Sequence, residues 1–167
     1  MMKSLLRTAL VAVAFIQLKD PADNSPLFVT NDDAEKFGAT KHDDGFARDS
    51  AGNKLPIGVR VHGAGSKVFR KAEDDTNDAM LKAKGKGLTG AGLRNSGTYK
   101  LAKCTEQFVN FGYALTEGGP EIRVTPDMAE DERIRVASAF YDDLRFAAFR
   151  EQIEKDQADH ANFTPKV

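Results

Sequence analysis

Between Leu55 and Arg70 the chain reads LPIGVRVHGAGSKVFR, and this stretch constrains the fold more than any other. Ile57, Val59 and Val61 alternate with their neighbours, which predicts a strand over Leu55 to Val61 with one buried face. His62-Gly63-Ala64-Gly65 breaks the alternation, and Ser66 opens a segment expected to be helical as far as about Lys84. The apolar stripe of that helix (Val68, Phe69, Ala72, Ala79, Met80) is narrow, so it packs lightly. A strand that turns through glycines into a helix needs a sheet with helices beside it.

The same residues pose a question about phosphate. A phosphate-cradling loop needs four residues between its first glycine and Gly-Lys-Ser/Thr, so that successive N–H groups wrap the anion. Here the loop is too short, and Lys67 follows Ser66 instead of preceding it. The dinucleotide fingerprint fails as well, because Lys67-Val68-Phe69 stands where a third glycine is wanted. Ser66 is instead expected to cap the helix by accepting the Phe69 N–H, a bond worth roughly 1 kcal/mol.

Upstream, Phe15 to Lys19 alternates and runs into Asp20-Pro21-Ala22-Asp23-Asn24-Ser25-Pro26, a dense turn signal, before Leu27-Phe28-Val29 returns. This predicts a hairpin. The apolar run Thr8 to Ile16 before it has two readings. With Lys3 and Arg7 ahead and Ala12-Val13-Ala14 as a cleavage site it resembles a secretory signal; alternatively it is a buried or edge strand. At nine residues it is too short to span a bilayer. Residues 31–54 are polar and turn-rich, and are expected to form an exposed loop or long hairpin arm.

Downstream, residues 83–98 read as a flexible basic linker, rich in glycine and free of acids. Leu101, Cys104, Phe108 and Phe111 then recur at helical spacing and predict a helix over Tyr99 to Phe111. Thr125-Pro126-Asp127 is a helix-start signal, with Thr125 as cap, and Ile134, Ala137, Phe140, Tyr141 and Leu144 follow at spacings of three and four. A turn at Asp142-Asp143 leads to a last helix with Phe146, Phe149 and Ile153 on one face and Glu151 four residues from Lys155. Asn162-Phe163-Thr164-Pro165 reads as a cap and apolar plug. The expected architecture is α+β: a small antiparallel sheet of three to four strands, then three to four helices. The three parts, 1–82, 83–98 and 99–167, are expected to form one domain.

Charge and chemistry narrow the function classes. With 24 cations and 25 anions the formal charge is −1, so nothing draws the whole chain to nucleic acid or anionic membrane. The one cysteine, Cys104, excludes an intramolecular disulfide and sits at an apolar helical position, as a core residue would. His42, His62 and His160 lack the spacing of a metal cluster, and Asp43, Asp44 and Asp49 lack the order of a calcium loop. The basic stretch around Lys82, Lys84, Lys86 and Arg94 has no interleaved aromatics for base stacking. No catalytic, cofactor or metal-ligating residue is assigned, and the chain is expected to act by binding proteins. The candidate contact residues are Phe108, Phe111, Phe146, Phe149 and Ile153, which a core would also claim.

Several short motifs carry a family resemblance. These are Leu18-Lys19-Asp20-Pro21 with its turn, Val59-Arg60-Val61-His62-Gly63 leading to Ser66-Lys67-Val68-Phe69-Arg70, and Leu101-Ala102-Lys103-Cys104-Thr105. Tyr141-Asp142 before Arg145-Phe146, Gln152-Ile153 and Asn162-Phe163 complete the set. In this order they resemble the small tail proteins of tailed bacteriophages described as tail assembly chaperones or minor tail components. A tryptophan common in that family after the middle motif is replaced by Phe108-Val109-Asn110-Phe111, and residues 31–54 look like an insertion. The resemblance implies a non-enzymatic protein of tail morphogenesis, working in the host cytoplasm on the tape-measure and tail-tube proteins. It would need no cofactor, nucleic acid or membrane, and could self-associate. The alternative it leaves open is a structural virion protein held in a tail, connector or capsid surface by edge-strand and arm contacts. An exported binding module is the third reading, if the N-terminal run is cleaved.

Overall fold

The computed structural model describes residues 12–82 and 90–163. The fold is α+β. A three-stranded antiparallel sheet is built from β1 (Val13–Gln17), β2 (Gly58–His62) and β3 (Thr105–Val109), with β2 in the middle. Four α-helices accompany it: α1 (Lys67–Lys82), α2 (Gly90–Cys104), α3 (Glu130–Asp142) and α4 (Ala147–Ala158). A second, two-stranded ladder pairs β4 (Tyr113–Ala114) with β5 (Glu121–Ile122).

The alternation over Ile57 to Val61 does what its period dictates. Val59 and Val61 are fully buried, while Arg60 between them is exposed. Ile16 opposes Val59 and Ala14 opposes Val61, both buried on the same face. Against this face pack Leu101 and Ala102 of α2, Val136, Ala137 and Phe140 of α3, and Ile153 of α4. Two glutamines of α4 fasten it to the sheet. The Gln152 carboxamide donates to the Gln17 carbonyl (2.9 Å) and accepts from the Lys19 N–H (3.1 Å), standing in for a neighbouring strand at that end of β1. Gln157 donates to the His62 carbonyl at 2.9 Å.

Ser66 caps α1 as its position dictates, its Oγ accepting the Phe69 N–H at 3.1 Å. The turn ahead of it also serves the end of the chain: a Cβ on Gly63 would lie 2.8 Å from the Phe163 ring, so glycine there lets Phe163 close over the loop. The α1 stripe is as narrow as the sequence suggests. Ala72 and Thr76 are buried, but Ala79 faces solvent.

Residues 31–54 are ordered and carry a core of their own. Val29, Ala34 and Ala47 are buried, with Phe37, Ala39, Leu55 and Ile57 packed on them. Two 3-10 turns, Asn31–Asp33 and Glu35–Phe37, and single-residue bridges such as Thr30 to Phe46 and Thr40 to Arg48 replace regular strands. Lys54 lies over the Phe28 and Phe46 rings, at 5.2 and 4.4 Å from their centroids. At the tip, Lys36 reaches Glu121 of β5 (2.7 Å), and Arg123 covers the Phe37 ring. The arm is thereby tied to the β4–β5 hairpin.

Four local expectations are corrected. Tyr99 to Phe111 is not one helix: α2 ends at Cys104 and the chain continues as β3, because Thr105 to Val109 can close the open side of β2. The helix α2 starts at Gly90, inside the stretch expected to be linker through residue 98, while 83–89 lie outside the described residues. Thr125 is not the cap of α3, which begins at Glu130 after a turn in which Met128 N–H donates to the Thr125 carbonyl (3.3 Å). On α4 the i,i+4 ion pair is Arg150 with Glu154 (2.9 Å), since Arg150 points back to the body and Glu151 points away. The predicted hairpin turns as expected, Leu27 N–H donating to the Leu18 carbonyl (2.9 Å), but β1 takes its ladder from β2. Of the signal-like run, Val13 to Ile16 belong to β1, and residues 1–11 lie outside the described residues.

Candidate partner-binding face

Six aromatic side chains meet where the base of the arm, the segment after β3 and the two C-terminal helices come together. Phe140 is the hub, with ring centroids 5.1 Å from Phe108, 5.6 Å from Phe111, 5.5 Å from Tyr113 and 4.8 Å from Phe146. Phe149 follows 6.4 Å beyond Phe146. Local backbone geometry sets this up. Asn110 takes a left-handed conformation (φ 59°), and its side-chain amide donates to the Pro56 carbonyl at 2.9 Å. That kink folds Phe111 back onto Phe108, whose rings stack at 4.7 Å. Asp143 holds the corner between α3 and α4: its Oδ1 accepts the Arg145 N–H at 3.0 Å, which starts the 3-10 turn Leu144–Phe146 and turns Phe146 inward.

The cluster does not close completely. A pocket of about 170 Å³ remains, floored by Leu18, Tyr113 and Phe140 and walled by Leu27, Ile57, Phe111, Phe146 and Phe149. Its only backbone-like wall is Gly112, where a Cβ would meet the Glu121 side chain at 2.6 Å and block closure of the β4–β5 hairpin. The one polar tip in the floor, the Tyr113 hydroxyl, is spent on the Val136 carbonyl (2.7 Å), and burial holds its pKa above the ordinary tyrosine value. The pocket therefore offers a partner apolar and aromatic surface with no free hydrogen-bonding group in its floor.

The sequence candidates divide here. Phe111, Phe146 and Phe149 are half-buried and line the pocket. Phe108 and Ile153 are core residues, 3% and 0% exposed, out of reach of a partner on the folded chain. Two exposed leucines are not among those candidates: Leu144 (78% exposed) and Leu115 (55%). The Arg145 guanidinium brings their segments together by donating to the Ala114 carbonyl at 2.8 Å. Helical spacing places Leu144 on the apolar stripe of α3, but that helix stops at Asp142 and leaves it outside the stripe.

A second depression of about 340 Å³ lies along Leu144 and the first turns of α4. Asp142, Asp143, Glu151 and Glu154 line it, with Ala147 and Arg150 at its base. Arg150 organises it by donating to Thr98 (2.8 Å), the Tyr141 carbonyl (3.3 Å) and Glu154 (2.9 Å). Thr98 in turn donates to Asp142 at 2.6 Å. Hydrogen bonds from Arg145, first its side chain and then its backbone, hold the Asp143 carboxyl below its ordinary pKa.

The remaining sequence features have local structural work. Asp44 Oδ1 accepts the Phe46 N–H at 3.0 Å, and this bond with the Arg48 guanidinium keeps its pKa at about 2. Asp49 accepts the Ala51 and Asn53 N–H groups, so these acids build turns. His42 lies on the arm, His62 at the end of β2 and His160 in a C-terminal 3-10 turn, and burial lowers the His62 pKa. Cys104 is fully buried, and burial pushes its thiol up to about 11, the reverse of a nucleophile's tuning. Among the described residues no group of three or more His, Cys, Asp or Glu side chains could hold a metal ion. No helix among them is long and apolar enough to cross a membrane. Lys82 is exposed at the end of α1; Lys84 and Lys86, and the side chain of Arg94, lie outside the described residues. Comparison with protein-family models, curated proteins and solved structures finds no match to this chain.

Proposed function

We propose that this chain is a non-enzymatic protein of phage tail morphogenesis, acting as a tail assembly chaperone. In this reading it works in the host cytoplasm, holding apolar helices of the tape-measure protein and meeting tail-tube subunits. The observation that supports it best is the open aromatic pocket of Phe111, Phe146 and Phe149, with the exposed Leu144 and Leu115 each two residues along the chain from one of its lining residues, Phe146 and Tyr113. Unfilled apolar surface beside exposed leucines suits transient capture of a partner's apolar side chains. Co-expression with the tape-measure protein of the same phage tests it. A soluble complex that co-elutes on size exclusion is expected, and a tape-measure protein that stays insoluble overturns the reading.

One observation favours a second reading, a structural virion protein. Among the described residues β1 is an outer strand of the sheet, and its exposed Phe15 (37%) lies beyond the end that Gln152 covers. Such an edge can receive a strand from a neighbouring subunit. Mass spectrometry of purified virions separates the two: stoichiometric copies in the particle support the structural reading, and absence supports the chaperone.

A further inference from the structure

The aromatic pocket and the acidic depression are parts of one docking surface, and the structure assigns it a partner chemistry. We propose that this surface takes an amphipathic helix carrying a lysine or arginine about two turns from a large apolar residue. The inference rests on the chaperone reading and adds to it the kind of helix bound and where it lies.

Continuity is the first argument. Both depressions flank the corner made by Leu144–Phe146 and the first turns of α4. Phe146 and Phe149 face one side, and Ala147, Arg150, Glu151 and Glu154 face the other. Leu144, two residues before Phe146, lines the acidic side with 78% of its surface in solvent. Side chains on different faces of one helix lie roughly 10 Å apart, a span that a partner helix rising 1.5 Å per residue covers in about seven residues.

Charge complementarity is the second argument. The lining of the acidic side holds Asp142, Asp143, Glu151 and Glu154 against Arg150 alone. Arg145 answers Asp143, and Arg150 is shared between Asp142 and Glu154, so among the described residues the carboxylates outnumber the cations here. Glu151 is exposed, projecting beside Leu144 and Ala147. An apolar segment flanked by acids would meet like charge here, whereas a cation has carboxylates waiting beside the apolar seat.

The test uses the full chain and two fluorescein-labelled 21-residue helical peptides, one of leucine and lysine and one of leucine and glutamate at the same spacing. Fluorescence anisotropy is expected to give at least tenfold tighter binding of the lysine peptide, weakening as salt rises. Glu151→Lys and Leu144→Ala change exposed side chains, so both variants should fold, and each is expected to weaken binding about tenfold. Asp78→Lys, on α1 outside both depressions, controls for general attraction and should stay within twofold of wild type. Equal binding of the two peptides, or equal losses for Glu151→Lys and Asp78→Lys, overturns the proposal. Co-expression of both site variants with the tape-measure protein keeps the two readings apart. Wild type that solubilises it while the variants do so equally well sinks this site alone. Failure of wild type sinks the chaperone reading, whatever the peptides do.

Discussion

At the scale of single residues, the described core is held by packing together with a few polar atoms, most of them bonded; Arg48 Nε, His62 Nδ1 and Arg133 Nε are buried without a hydrogen-bond partner. Thr105 is among the bonded. Its hydroxyl donates to the Leu101 carbonyl at 2.8 Å, so the 2.7 Å contact with Tyr141 must use the tyrosine's proton. Cys104, next in the chain and as deeply buried, contributes a pH dependence. Burial raises its thiol pKa from 9.0 to about 11, so the unfolded chain loses that proton first as pH rises. The stabilising difference is whole below pH 9 and declines between 9 and 11. Because one pKa unit corresponds to about 1.4 kcal/mol, the stability gap between wild type and Cys104→Ala should shrink by about 1 kcal/mol from pH 8 to pH 10. Urea denaturation of both proteins at the two pH values measures this. A gap that stays constant would mean the thiol is solvated.

At the scale of elements, the sharpest test concerns the start of α1. Ser66→Ala removes the acceptor of the Phe69 N–H and should cost about 1 kcal/mol in urea unfolding, while Ser66→Asp should restore most of it. A loss under 0.3 kcal/mol, well below the range of about 0.5–2 kcal/mol usual for such caps, would show the cap to be idle. This element was legible in the sequence because every signal for it is local: alternation, glycine turn, hydroxyl cap. The strand β3 was not. Leu101, Cys104, Phe108 and Phe111 keep helical spacing across a boundary that only the partner strand defines, since Thr105, Gln107, Phe108 and Val109 pair with β2. Phe108 and Phe111 do meet, as helical spacing suggests, yet through the left-handed kink at Asn110. The start of α3 was misplaced for a related reason: Thr125-Pro126-Asp127 is a turn signal as much as a helix signal, and the turn wins. Of the five residues singled out in the sequence, Phe111, Phe146 and Phe149 line the pocket, since aromatic residues announce themselves. Leu144 and the acidic flank were hidden, since exposure of a leucine depends on where its helix ends.

At the scale of the whole molecule, two cores of unequal size raise the question of which depends on which. The arm core has three buried residues, Val29, Ala34 and Ala47, too few to offset the chain entropy of a stretch that long. It must lean on the body through Ile57, which packs against both cores, and through the Lys36–Glu121 and Arg123–Phe37 contacts. The body gains little from the arm in return. Ala47 is the place to ask, being fully buried with its N–H donating to the Val29 carbonyl at 3.0 Å. Ala47→Glu puts a carboxylate into this small apolar core, a cost of several kcal/mol by the scale of buried ions, and this exceeds what three small side chains supply. Hydrogen exchange should then lose protection at Val29, Thr40, Ala47 and Arg48, whose N–H groups are bonded within the arm, and keep it through β2. Phe140→Ala, at the hub of the larger core, should cost about 3–5 kcal/mol and lower protection in both regions together. The asymmetry is the point of the pair. If Ala47→Glu instead strips protection from β2 as completely as Phe140→Ala does, the arm is part of the cooperative unit and not a dependent of it.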